Sequence, residues 1–72
     1  MASIDVRPDL AAGREPFQRI MTAVGELSPG EPLEIIAPFE PMPLYAVMAE
    51  KGFGHQTTRL PDGGWKVTFK RR

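Results

Sequence analysis

Cysteine is absent from the sequence, and histidine occurs once, as His55. Disulfides and thiol chemistry are therefore excluded, and one imidazole cannot build the usual Cys/His zinc spacings. No metal and no cofactor are expected. No run of about 18 apolar residues exists to cross a membrane, and the segment MASIDVRPDL lacks the basic stretch followed by an apolar one that marks a secretory signal. The expectation is a cytoplasmic protein with no membrane partner. Net charge is lacking as well, nine Lys/Arg balancing nine Asp/Glu. The 72 residues suffice for a single domain spanning 1–72. At that size folding buries only about 60% of the unfolded chain's surface, and the expected stability is about 4–11 kcal/mol. Packing alone must hold the fold.

Ile4-Asp5-Val6-Arg7 alternates apolar and polar residues until Pro8, the pattern of a short strand with one wet face. Asp9 to Glu15, with Gly13 among charged residues, reads as a loop. From Pro16, the residues Phe17, Ile20, Met21, Val24 and Leu27 recur at i, i+3, i+4, i+7 and predict a helix with one apolar stripe, stopped by Ser28-Pro29-Gly30. Leu33 to Ala37 is a second strand, apolar enough for an interior place in a sheet, and Pro38 closes it. The stiff connection Phe39-Glu40-Pro41-Met42 leads to a short helix from Pro43, with Leu44, Val47 and Met48 on one face and Lys51-Gly52 at its end.

In the last third, Pro61-Asp62-Gly63-Gly64 separates two alternating segments and signals a hairpin. Pairing Leu60 with Trp65 puts Leu60, Trp65, Val67 and Phe69 on the core face, and Arg59, Lys66, Thr68 and Lys70 on the other. The order β-α-β-α-β-β predicts an α+β fold, a two-layer α/β sandwich whose four-stranded mixed sheet carries both helices on one face. Its expected core is Ile4, Val6, Phe17, Ile20, Met21, Val24, Leu33, Ile35, Leu44, Val47, Met48, Trp65, Val67 and Phe69.

Catalytic constellations are missing. A serine or threonine nucleophile needs a base, and His55 lies far along the chain from Ser3 and Ser28, so it reads as a half-exposed strand residue. Gly52-x-Gly54 follows a helix where a phosphate loop would precede one. Nothing in the spacing of Asp5, Asp9, Glu15 and Glu40 forces two carboxylates together. The chain is read as not an enzyme.

Topology offers a better place for a site. The loops after two parallel strands leave the sheet at one edge, beside helix N-termini with unpaired N–H groups. That edge would gather Arg7, Asp9, Arg14, Glu15, Phe39, Glu40 and Met42, of which Arg7, Arg14, Glu15, Phe39, Glu40 and Met42 are the candidate binding residues. Phe39 and Met42 at such positions can instead staple the second helix to the first. Charge is segregated along the chain: residues 1–58 carry −4 and residues 59–72 carry +4. A basic hairpin ending in Lys70-Arg71-Arg72 could meet RNA or an acidic protein. Against this, Asp5 and Glu34 are expected on the same open face as Arg59, Lys66 and Lys70, neutralising it, while Trp65 and Phe69 point into the core and offer no stacking platform.

The segments I-D-V-R (4–7), R-E-P-F (14–17), L-S-P-G-E-P-L-E-I-I (27–36) and P-M-P-L-Y (41–45), in this order, resemble the TusA/SirA-like small sulfur-carrier proteins, and more closely a cysteine-less, uncharacterised bacterial branch of them. The resemblance spans Ile4 to Phe69 and implies the same sandwich. Sulfur carriers of this kind hold a persulfide on the cysteine of a Cys-Pro-x-Pro motif at the start of the first helix. Gly13-Arg14-Glu15-Pro16 stands there in this chain, so the carrier thiolate is missing. Relatives in the closer branch often have a His-Asp pair before Pro-x-Pro-Leu, where this chain has Phe39-Glu40. The expectation is a monomeric, TusA-like binding or protein-interaction module for an unknown protein partner or small ligand. The rival is a nucleic-acid-binding domain using the basic hairpin, a reading encouraged by the similar fold of the C-terminal domain of bacterial translation initiation factor three.

Overall fold

The computed structural model describes residues 2–72. Its elements are β1 (Ala2–Asp5), α1 (Arg7–Ala11), α2 (Phe17–Gly25), β2 (Leu33–Ala37), α3 (Met42–Glu50), β3 (Phe53–Arg59) and β4 (Trp65–Arg71). The strands form one mixed sheet in the order β1-β2-β4-β3. β1 and β2 are parallel, and β4 runs antiparallel to both β2 and β3. The strongly apolar β2 lies in the interior of the sheet, as its composition predicts.

Alternation selects one face for burial. Ile4, Leu33, Ile35, Ala37, Phe53, Val67 and Phe69 join Val6, the α2 residues Ile20 and Val24 and the α3 residues Leu44 and Met48 in a single core cluster. The helices therefore cover one face of the sheet. The opposite face carries Ser3, Glu34 and Thr68 in register with one another, flanked by Lys66 and Lys70, and among the described residues no helix packs on it. Gly52, at φ +88°, follows Lys51 and ends α3 in the left-handed conformation that a glycine adopts without steric penalty.

The structure departs from the sequence reading in three places. β1 ends at Asp5 and not at Arg7, and Pro8 sits in the first turn of α1, where a missing N–H costs nothing, so part of the expected loop 9–15 is helical. Four expected core residues are not buried: Phe17 is exposed, and Met21, Val47 and Trp65 are half-buried. The hairpin register is one residue longer than expected. Arg59, not Leu60, faces Trp65, and the turn closes through Leu60 N to Gly64 O at 2.8 Å. A one-residue slip exchanges the faces of a strand, and the register observed is the one that buries Phe53. Arg59 consequently lies on the helix side, its guanidinium 4.9 Å from the Trp65 ring centre.

Candidate functional site

Because β1 and β2 are parallel, the segments that follow them leave at the same end of the sheet. A cleft of about 260 Å³ opens there. Ile35 and Ala37 of β2 line it below, Val6 and Leu10 on one side, Phe17 and Ile20 on another, Leu44 and Val47 on a third, with Phe39, Pro41 and Pro43 at the rim. Glu15 is its one polar lining residue. Ala37, a small residue at the end of β2, leaves room under it, and Phe17, the first residue of the α2 stripe, lines the opening with 45% of its surface exposed.

All the exposed large apolar side chains in the described residues are at this end: Phe17 at 45%, Phe39 at 53% and Met42 at 59% exposure. Phe39 and Met42 thus do not staple the helices together. Among the candidate binding residues, Glu15 and Phe39 line the cleft, and Met42 stands between Pro41 and Pro43, which also line it. Arg14 is exposed and forms no ion pair among the described residues. Glu40 accepts a hydrogen bond from the Tyr45 hydroxyl at 3.1 Å, and that hydroxyl also meets Thr57. Burial, followed by the neighbouring Glu40, raises the Tyr45 pKa above its ordinary value.

Arg7 is committed elsewhere. Its guanidinium donates to both Asp5 oxygens at 2.8–3.2 Å and to Asp62 Oδ2 at 2.9 Å, tying the end of β1 to the hairpin turn. Asp62 in turn accepts from Gly64 N at 2.8 Å, and a Cβ at position 64 would lie 3.0 Å from Asp62 Oδ1 and 3.2 Å from Arg7 Nη1, so this glycine leaves room for the bridge. Asp9 and Arg19 pair at 2.7 Å and fasten α1 to α2. The Arg7 hydrogen bond holds the Asp5 carboxyl below its ordinary pKa, and Gly64 N–H followed by Arg7 does the same for Asp62.

The folded state therefore binds protons at Asp5 and Asp62 less readily than the unfolded chain. Stability from the bridge is complete above the ordinary aspartate pKa of about 3.9 and is lost as pH falls below it. The melting temperature should drop as pH falls below about 4, and Arg7→Ala should flatten this part of the profile. An equally steep acid limb in the variant would show that the bridge contributes nothing.

His55 is an exposed residue of β3 whose ring stacks on Tyr45, with centroids 3.7 Å apart and planes 4° from parallel. No group of three His, Asp or Glu side chains converges among the described residues, and no helix there is long and apolar enough to cross a membrane. The cleft holds a lone carboxylate, Glu15, in an apolar surround. Sequence reasoning missed Phe17, Ala37 and Val47 as cleft residues, because helical spacing places Phe17 and Val47 on a core stripe and only the packed fold brings them to an opening.

No curated protein and no solved structure is detectably similar to the chain. Residues 3–71 match the model of an uncharacterised conserved family, DUF2249, and the chain belongs to that family.

Proposed function

We propose that the chain is a non-enzymatic binding module whose cleft receives an apolar side chain of a protein partner. The observation that carries this reading is the gathering of Phe17, Phe39 and Met42, all exposed, around an apolar opening. In a domain this short, leaving three such side chains in water forfeits burial that stability needs, unless a partner covers them. Met42 adds a contact that adapts in shape. An anionic ligand is disfavoured because Arg7 is already neutralised by two carboxylates, and Glu15 and Glu40 stand at the same end.

Kinship with the TusA/SirA-like proteins is part of the proposal. The four segments quoted above and the order of the strands support it, while persulfide transfer has no carrier in a chain without cysteine. Gly13 sits in the left-handed region at φ +74°, a conformation costly for a cysteine.

The test is capture from lysate by the intact chain and by Phe17→Ala with Phe39→Ala. The expected result is a partner retained at high salt by the first and lost by the second, since apolar contacts are not screened. Equal capture by both would overturn the reading. So would native mass spectrometry finding a small molecule bound to the intact chain and released by the double variant.

A further inference from the structure

The other end of the molecule carries a second surface. β3 is an edge strand of seven residues, and its partner register with β4 runs from Phe53↔Arg71 to Arg59↔Trp65 without a bulge. Edge strands are usually blunted by proline, a bulge or an inward charge. β3 contains no proline, and its middle residues, His55 to Thr58, include no Lys, Arg, Asp or Glu. Its outer backbone edge is thus open to another strand.

Cations bracket that edge. Arg71 lies over the Phe53 ring at 4.6 Å on one face of the sheet. On the other face Arg72 lies beside Gly54, where a Cβ would make an ordinary contact of 3.6 Å with Arg72 Nε. Lys70 lies beside Gly54 in register, and a shallow groove of about 300 Å³ runs past Gln56, Thr68, Lys70 and Arg72. The cross-strand neutralisation expected of this face does not occur. Asp5 pairs with Arg7, Glu34 accepts from Ser3, and Lys66, Lys70, Arg71 and Arg72 have no ion pair among the described residues.

We propose that β3 accepts an extended acidic peptide as a fifth strand, its backbone pairing with the free edge and its alternate carboxylates meeting Lys70 and Arg72. A second copy fits poorly. Antiparallel self-pairing centred on Gln56 sets Arg59 of each copy against Phe53, which already carries Arg71, and parallel self-pairing sets Arg59 against Arg59. Single-stranded nucleic acid lacks a stacking surface here, since the open face bears no aromatic ring and Phe53 and Phe69 are buried. The surface is at the opposite end from the cleft and does not depend on it.

The experiment titrates labelled peptides of alternating glutamate and threonine, and of glutamine and threonine, into the intact chain, with an oligoadenylate as a third probe. The glutamate peptide should bind saturably and the glutamine peptide should not. Lys70→Glu with Arg72→Glu, two exposed positions whose change leaves the core untouched, should weaken binding at least about tenfold. Bound peptide should slow hydrogen exchange at amides of β3 and leave the cleft segments unchanged. Binding without added protection in β3 would overturn strand addition. Tighter binding of the oligoadenylate, or peptide-free dimerisation that protects β3, would overturn the choice of partner.

Discussion

Phe69→Ala is expected to cost about 3–5 kcal/mol, a large share of the roughly 4–11 kcal/mol available to a chain of this length. Phe69 is fully buried in the interior strand β4, between Leu33 of β2 and His55 of β3, with the Tyr45 ring edge-on at 6.4 Å. Removing its ring leaves a cavity bounded by strands on both sides, which cannot collapse without breaking the sheet. Trp65 is larger but half-buried, with one face met by the exposed Arg59 guanidinium. Its truncation should cost less, about 1–2 kcal/mol. Urea melts of the two variants decide the matter. If Trp65→Ala proves the more damaging, Trp65 is packed against the core more fully than its half-burial beside Arg59 implies.

That ranking shows where the sequence was readable and where it was not. The bounds of β2, the stripe of α2 and the end of α3 at Gly52 follow from local periodicity and from proline and glycine, whose effects act within a few residues. Ten of the fourteen expected core residues are buried, and the four that are not are Phe17, Met21, Val47 and Trp65. Hairpin register is a different kind of property. The Pro61–Gly64 turn tolerates pairing at Leu60 or at Arg59, and the choice falls to Phe53, which is buried only in the second. Its apolar signal is a single residue beside two glycines, too weak to read in isolation. The site was legible as an edge, because parallel β1 and β2 dictate where their loops go. Its chemistry was not, since the partner that Arg7 takes at Asp62 lies 55 residues away.

Ala37→Leu should close the cleft without unfolding the protein. Ala37 is buried at the last position of β2, yet it lines an opening and is not packed on every side. An added isopropyl group therefore has space to enter, and the usual overpacking penalty of about 1–3 kcal/mol should be avoided. Unfolding free energy should change by less than about 1 kcal/mol, with the new apolar contacts to Leu44 and Phe17 offsetting lost side-chain freedom. Nile red, an uncharged apolar dye, should bind the native chain saturably, and this variant should bind it at least about tenfold more weakly, since one blocked contact of 1.4 kcal/mol already gives that factor. The same change should abolish capture of the protein partner while leaving the acidic-peptide surface at β3 intact. A stability loss above about 2 kcal/mol would place Ala37 in closed core, and undiminished dye binding would place the apolar site elsewhere on the molecule.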